Sequence, residues 1–154
     1  MIVISDTSAI TSLLQIGRLE ILPALYHEVI IPTEVASELK RFQATLPAFI
    51  RVLPVTNLVQ FKKLQAELDD GEAAAITLML EGRGDLLLID ERRGRKVAVR
   101  EGLLVVGVIG VLLEARRRKL IPSLAEAIGQ LEKIAGFRIS PQLKLRALQT
   151  AGGK

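Results

Sequence analysis

The sequence predicts an α/β fold in which helices cover both faces of a mostly parallel sheet. Short apolar runs alternate with helical patterns along the chain, as in right-handed β-α-β units. The runs are continuously apolar, which is typical of strands that are buried on both faces. No long Gly/Ser or Pro linker divides the chain, so we expect a single three-layer α/β/α domain over residues 1–154.

The expected elements follow in order along the chain. About five runs rich in Ile, Val and Leu predict strands, at 2–5, 28–31, 51–55, 85–89 and 103–107. Apolar residues spaced three and four apart predict the intervening helices, at 10–17, 19–25, 33–42, 57–68, 71–82, 92–102 and 108–119. The segment 123–149 has the pattern of two further C-terminal helices.

The composition limits both the location and the chemistry of the protein. Hydrophobic residues make up 49% of the sequence and aromatic residues only 3%, so aliphatic side chains must fill the core. The absence of cysteine excludes disulfides and thiolate metal sites and fits a reducing cytoplasm. No apolar run approaches the roughly 18–20 residues that span a membrane, so we expect a soluble cytoplasmic protein without a membrane partner.

The charge is unevenly distributed along the chain. Residues 1–77 contain 6 Lys/Arg and 9 Asp/Glu, whereas residues 78–154 contain 15 and 8. The basic residues cluster at 91–96 (ERRGRK) and 115–119 (ARRRK). Each cluster fits either contact with a polyanion or a solvated helix face, and the second would also be favoured at a helix C-terminus.

Two aspartates follow predicted strands directly. In open α/β sheets, ligands bind beyond the carboxyl ends of the strands, at the point where the strand order reverses. Asp6 follows the first strand and Asp90 follows the fourth, so we expect both at the same edge of the sheet. Each could instead cap the helix that follows it, although Thr7 or Ser8 could cap the first helix without the cost of a buried charge.

A glutamate lies on the inner flank of the predicted 33–42 helix. Val35, Leu39 and Phe42 form the apolar face of that helix, and Glu38 lies about 60° from its centre on a helical wheel. Glu34 lies farther round, and we expect it to face solvent. Glu38 is therefore a candidate site residue, with a partly exposed rim glutamate as the alternative.

Glu72 lies in the middle of an apolar helix face. At 100° per residue, Ala75, Ile76 and Met79 surround it in the predicted 71–82 helix. The alternative is a capping box with Asp69, in which the Glu72 side chain folds back onto its own backbone.

Together, Asp6, Glu38, Glu72 and Asp90 indicate a metal site. If these acids converge, their mutual repulsion raises their pKa values unless a cation is bound. Ligands that are all oxygen favour Mg²⁺ or Mn²⁺ over Zn²⁺. The single histidine, His27, precedes a strand and is expected at the surface, which leaves no Ser-His-Asp arrangement.

Several segments resemble a PIN-domain protein of the small prokaryotic, VapC-like kind. They are VISDTS at the N-terminus, IIPTEVASEL, LDDGEAAAI, LLLIDERRGRKVA and GLLVVGVIGVLLEA, in this order. The segment 120–140 is similar to the tail of one PIN-like subgroup. The resemblance implies five parallel strands in the order 3-2-1-4-5. It also implies a metal-dependent endoribonuclease that cuts single-stranded RNA, often as the toxin of a toxin-antitoxin pair that forms a homodimer.

The resemblance also assigns roles to individual residues. It implies Asp6, Glu38, Glu72 and Asp90 as catalytic and metal-binding acids, with Ser8 or Thr7 as a supporting hydroxyl. The residues that follow the last acid are candidates for holding the RNA backbone: Arg92, Arg93, Arg95 and Lys96. The sequence departs from the family pattern at two positions, with Glu72 at the position of the usual aspartate and Ile89 at that of a hydroxyl residue.

Two other functions remain open on the sequence. One is a non-catalytic PIN-like scaffold that binds a partner through its apolar C-terminal helices. The other is a phospho-acceptor domain in which Asp6 or Asp90 carries the phosphate, although the DTS segment lacks the second aspartate of the DxD phosphatase motif.

Overall fold

The predicted parallel sheet is present. The computed structural model describes residues 1–42 and 45–152, and within them five parallel strands form one sheet in the order β3-β2-β1-β4-β5. The strands are β1 (Ile2–Ser5), β2 (Glu28–Pro32), β3 (Ile50–Leu53), β4 (Leu86–Leu88) and β5 (Val105–Val106). The strand order reverses between β1 and β4. Residues 43, 44, 153 and 154, which the expected domain includes, lie outside the described residues.

Each predicted helix is present, with its ends shifted by a few residues. The helices are α1 (Thr7–Gln15), α2 (Ile21–Leu25), α3 (Thr33–Leu39), α4 (Leu58–Gln65), α5 (Asp70–Leu80), α6 (Arg92–Arg100), α7 (Val108–Arg117), α8 (Leu124–Lys133) and α9 (Pro141–Thr150). In the described ranges, no helix combines the length and the apolar character needed to cross a membrane.

Alternate side chains of the central strands point to opposite faces of the sheet and belong to two different hydrophobic clusters. On one face, α1, α2, α7 and α8 cover one set of strand residues: Val3, Val29, Ile31, Leu86 and Leu88. On the other face, α4, α5 and α6 cover the residues between them: Ile4, Ile30, Leu87 and Ile89. This alternation produces the three-layer architecture and explains why these strands are apolar on both sides.

The strand register brings the first and fourth strands to a common end. Ser5 of β1 lies opposite Leu88 of β4, and the backbone N–H of Asp6 donates to the Leu88 carbonyl oxygen at 3.2 Å. Asp6 and the residues that follow β4 therefore leave the sheet at the same edge.

The outer strands depart from the expected continuous burial. β3 is an edge strand, and its two middle residues, Arg51 and Val52, are exposed. Arg51 pairs with Glu28 of the neighbouring β2, with 2.8 Å between the guanidinium and carboxylate groups. The other edge strand, β5, is only half-buried.

The prediction that Phe42 belongs to the core is wrong. α3 ends at Leu39, and the chain then continues in tight turns in which the N–H groups of Arg41 and Phe42 donate to carbonyls three residues earlier. The helical period that aligned Phe42 with Val35 and Leu39 is therefore lost. The Phe42 side chain is 75% exposed.

We predict that the C-terminal helices share one cooperative core with the sheet. Leu131 of α8 is fully buried in the same cluster as Val3, so Leu131→Ala should lower the free energy of unfolding by about 2–5 kcal/mol. Leu145→Ala, at a position that is 59% exposed, is the control and should change it by about 0.5 kcal/mol or less. Urea denaturation followed by circular dichroism measures both values. A separate early transition for α8 and α9 would contradict the prediction.

Candidate active site

A pocket at the carboxyl edge of the sheet contains three of the four predicted acids. Its volume is about 450 Å³, and its walls include Asp6, Glu38 and Glu72. Four hydroxyl groups of α1 line the same pocket, from Thr7, Ser8, Thr11 and Ser12. The pocket is therefore acidic and polar at the point where the strand order reverses.

Asp6 both caps a helix and lines the pocket. Its Oδ1 accepts a hydrogen bond from the Ala9 N–H at 3.1 Å at the N-terminus of α1, and the Ser8 hydroxyl donates to its Oδ2 at 3.3 Å. The idea that Thr7 or Ser8 caps this helix is wrong, because both lie inside its first turn. Ser8 instead contacts the Asp6 carboxylate.

Burial dominates the electrostatics of Asp6, which is only 2% exposed. The pKa of its carboxyl is raised to about 7, chiefly by burial and also by the charges of Asp90 and Glu72. The hydrogen bonds from Ala9 and Ser8 act in the opposite direction but do not compensate. Asp6 therefore experiences the repulsion from neighbouring acids that the sequence predicts.

Thr7 orients Glu38 across the pocket. The Thr7 hydroxyl donates to Glu38 Oε2 at 2.8 Å and so joins α1 to α3. Gly71 of α5 allows this approach, because a Cβ there would lie 2.9 Å from Glu38 Oε1 and 3.2 Å from Thr7 Oγ1. A side chain at position 71 would displace the second acid.

Glu34 does not face solvent as predicted. It is partly buried, and its Oε1 is buried without a hydrogen-bond partner among the described residues. It lines a neighbouring acidic depression together with Glu38 and Asp70, where Arg41 supplies positive charge. The acidic surface therefore extends beyond the first pocket.

Glu72 shows features of both interpretations of its position. Asp69 Oδ1 accepts the Glu72 N–H at 2.8 Å, and the Asp69 N–H lowers the pKa of the Glu72 carboxyl, as in a capping box. Yet Glu72 is 7% exposed, and its Oε2 is buried with no hydrogen-bond partner among the described residues. Gly94 of α6 packs over this oxygen, since a Cβ there would lie 3.0 Å from it.

The pKa of Glu72 reflects this unsatisfied position. Burial is the largest cause of its rise to about 7, and the charges of Asp69 and Glu91 add to it. A buried carboxylate oxygen without a partner is costly, so this atom marks where a proton or a cation would lower the energy of the site.

Asp90 lies at the same edge but does not line the pocket. Its Oδ2 accepts the Val108 N–H at 3.0 Å, at the start of α7, and it lines the neighbouring groove with Arg95. The alternative that Asp90 caps α6 is wrong, because its carboxylate is directed to α7. Burial raises the pKa of the Asp90 carboxyl, and the Val108 N–H and the Arg95 guanidinium oppose that rise.

Glu91, and not Asp90, lines the acidic pocket. It is the N-cap residue of α6, makes no side-chain capping bond and is exposed. From the sequence, Glu91 is expected to be solvated or a first-turn acid near the helix dipole; it is exposed, but its place on the pocket wall was not predicted. Its position directly after Asp90 is the signal that could have identified it, because consecutive residues of an extended segment point in opposite directions.

The two basic clusters differ in their surroundings. Arg92, Arg93 and Lys96 are exposed on α6, whereas Arg95 is partly buried and donates to the Ile89 carbonyl oxygen at 3.2 Å. In the second cluster, Arg117 and Arg118 both pair with Glu114, at 2.8 and 3.0 Å. Two of the four cations of the second cluster are thus paired within the same helix end. His27 is exposed, as predicted.

The residues of the pocket fit a magnesium-type ion in their chemistry. Carboxylates supply its charged oxygens, and Glu72 Oε2 has no other partner among the described residues. Within residues 1–42 and 45–152, no three His, Asp or Glu side chains are arranged to coordinate one ion directly. This arrangement suits Mg²⁺ or Mn²⁺, because Mg²⁺ is usually held by one or two carboxylates and retains several waters.

A protein-family model described as a PIN domain matches residues 2–153. No curated protein sequence and no solved structure matches the chain.

We predict that the stability of the metal-free protein depends on the protonation of Asp6. Because its carboxyl pKa rises from 3.8 to about 7 on folding, the folded chain holds this proton more tightly than the unfolded chain. The stabilisation of the folded state by this bound proton is fully present below pH 3.8 and is lost as the pH rises through about 7. Between pH 5 and pH 8 in EDTA, Tm should therefore fall several degrees more for the wild type than for Asp6→Asn.

The variant keeps an oxygen for the N-cap, since asparagine caps helices as well as aspartate does. Glu101→Gln, at an exposed position, serves as the control and should follow the wild type at both pH values. Thermal unfolding monitored by circular dichroism provides the Tm values. Parallel pH profiles for the wild type and Asp6→Asn would contradict the prediction.

Proposed function

Given that the chain belongs to the PIN-domain family, we propose that it is a metal-dependent endoribonuclease that hydrolyses phosphodiesters of single-stranded RNA. PIN domains are generally nucleases. The observation that supports the proposal most directly is the buried Asp6 carboxylate in one pocket with the unpartnered Glu72 Oε2. Such a pair of acids is costly in a folded protein unless a ligand uses it.

In the proposed mechanism, Asp6 and Glu72 hold the ion, and Glu38 orients water. Thr7 fixes the Glu38 carboxylate through its hydroxyl, and Ser8 fixes that of Asp6. A bound Mg²⁺ or Mn²⁺ would supply a water of lowered pKa and positive charge for the phosphate oxygens. The protein then needs no nucleophile of its own.

Two adjacent residues, Asp90 and Glu91, are candidates for the fourth acid of the site. We assign Glu91 to the pocket, because it lines the pocket and its charge raises the pKa of Glu72. Asp90 acts on the same site through its charge on Asp6, while its own carboxylate positions the start of α7. The geometry thus favours direct participation of Glu91 and a positioning role for Asp90.

The remaining residues of the proposal bind the substrate. Arg92, Arg93 and Lys96 are exposed on α6, directly after Glu91, and Arg95 lies beside Asp90, so these cations can contact the RNA backbone. The position of Phe42 is an argument that the substrate is single-stranded. Phe42 lines the acidic pocket and is largely exposed, so its ring offers a surface on which an unpaired base could stack.

The resemblance to VapC-like proteins extends the proposal to a cellular role. In this role the chain acts in the cytoplasm as a toxin that a small antitoxin protein restrains, and it forms a homodimer. The lack of cysteine supports a reducing compartment. Copurification with the product of an adjacent gene, and its inhibition of RNA cleavage, would test the pairing.

A second candidate function is a PIN-like scaffold without catalysis. It is favoured by the finding that the described residues contain no direct three-ligand metal site. Titration of the wild-type protein with Mn²⁺ separates the two candidates. A rise in Tm that Asp6→Asn abolishes supports the nuclease, and an unchanged Tm supports the scaffold.

We predict a specific order of activities among variants of the acids. Asp6→Asn and Glu72→Gln should each reduce Mn²⁺-dependent cleavage of labelled single-stranded RNA by about 100-fold or more, since even outer-shell changes cost 10–100-fold. Glu91→Gln should reduce kcat more than Asp90→Asn does. EDTA should abolish the activity of the wild type.

Glu20→Gln, on an exposed residue outside the pocket, is the control and should cleave as the wild type does. Equal cleavage by the wild type and Asp6→Asn, or cleavage that resists EDTA, would refute the nuclease. A larger loss of kcat for Asp90→Asn than for Glu91→Gln would instead identify Asp90 as the fourth acid of the site.

We also predict that Phe42 contributes to substrate binding through its aromatic ring. Phe42→Leu keeps an apolar side chain but removes the stacking face, so KM for single-stranded RNA should rise about tenfold, within the 1–3 kcal/mol of one stacked base. Phe42→Trp should retain the wild-type KM. Because the chain has no tryptophan of its own, the fluorescence of Trp at this position should be quenched by bound RNA.

Val59→Trp provides the matched control, because Val59 is 69% exposed on α4 and lines none of the described pockets. Its fluorescence should not respond to RNA. An unchanged KM for Phe42→Leu would show that the ring does not contact a base.

A further inference from the structure

A second groove lies beside the acidic pocket, and most of its lining residues have no role in the proposed chemistry. It has a volume of about 560 Å³ and lies between β5, α7 and α9. Its apolar wall includes Ile109, Leu113 and Phe137. Three arginines line it, namely Arg95, Arg138 and Arg146, and Asp90 is the single acid among its described lining residues.

Two of these arginines form no ion pair among the described residues. Arg138 and Arg146 are exposed and form no salt bridge with any described residue. Other arginines of the molecule pair with glutamates, as Arg100 does with Glu67 at 2.8 Å and Arg117 with Glu114 at 2.8 Å. The positive charge of the groove is therefore available to an external anion.

The groove and the acidic pocket are immediate neighbours. Two chain segments contribute to both, since Glu91 and Ala135 line the pocket while Asp90 and Phe137 line the groove. The pocket and the groove are therefore separated by only one or two residues along each of these segments.

We propose that this groove binds the phosphodiester backbone of the RNA strand whose scissile phosphate lies in the acidic pocket. Arg138 and Arg146 contact successive phosphates, and the apolar wall packs against sugars and bases. The inference rests on the proposed function. It adds to Arg95 of α6 two cations that are far from it in sequence, Arg138 between α8 and α9 and Arg146 on α9.

The charge of the site explains why such a surface is needed. The acidic pocket repels a polyanion, so the free energy of RNA binding must come from cations that lie outside it. Arginine suits this role, because its planar guanidinium forms paired hydrogen bonds with phosphate oxygens. An acidic peptide would match the same charge, but continuity with the pocket favours the strand that the pocket is proposed to cut.

The experiment compares two double variants that each remove two positive charges. Arg138→Gln/Arg146→Gln removes unpaired cations of the groove, and Arg117→Gln/Arg118→Gln removes cations that pair with Glu114. Both are made in the full chain with Asp6→Asn, which should slow cleavage by about 100-fold or more during the binding measurement. Fluorescence anisotropy with a labelled single-stranded RNA of about 16 nucleotides gives Kd at several salt concentrations.

The groove variant should raise Kd at least about tenfold and reduce the slope of log K against log salt by about 1.4, because each lost phosphate contact accounts for about 0.7. The control variant should leave both quantities nearly unchanged. With Asp6 intact, the groove variant should raise KM for cleavage and leave kcat at the wild-type value. A change in kcat alone would overturn a binding role.

Each other outcome has a distinct meaning. If the wild type cleaves RNA but the groove variant binds RNA as the control does, the inference fails and the proposed function stands. If the groove variant keeps its RNA affinity but loses binding to polyglutamate, the groove accepts an acidic protein, and the inference is overturned. If the wild type neither binds nor cleaves RNA, both fail.

Discussion

The buried carboxylate of Asp6 at the end of the central strand is the constraint on which the site depends. Burial of a carboxylate is costly, and here the charges of Asp90 and Glu72 increase that cost. Two neutral donors, the Ala9 N–H and the Ser8 hydroxyl, offset only part of it. A chain selected for stability alone would place a neutral cap at this position, so the charge implies a ligand, either a proton at low pH or a cation at neutral pH.

Neighbouring residues donate hydrogen bonds to each of the other acids, but one oxygen of Glu72 is left without a donor among the described residues. Thr7 donates to Glu38, and the Val108 N–H donates to Asp90. Glu72 has a backbone partner at Asp69, but its Oε2 is buried with no partner among the described residues. Because buried polar atoms in native proteins are almost always paired, this oxygen locates the incomplete part of the site. A hydrated ion held by one or two carboxylates would complete it without a direct three-ligand cluster.

The sequence was sufficient for features that depend on local patterns. Apolar runs located β1 and β4, and the rule for strand ends placed Asp6 at the ligand-binding edge. Features that depend on the exact path of the backbone were not predictable in this way. Phe42 left the core because α3 ended in tight turns, and the direction of the chain after β4 decided that Glu91, not Asp90, lines the pocket. The position of Arg146 in the groove depends on how α9 packs against α7, for which the sequence contains no local signal.

The acidic and basic halves of the sequence form different parts of the sheet. Residues 1–77, with three more acids than bases, form β1, β2 and β3 and supply Asp6, Glu38 and Glu72. Residues 78–154, with seven more bases than acids, form β4 and β5 and supply the arginines of the groove. The strand order 3-2-1-4-5 joins these halves between β1 and β4, so the acidic pocket and the basic groove meet there. In the proposed nuclease, a polyanion drawn to the basic half would thereby be brought next to the acids at the reversal of strand order.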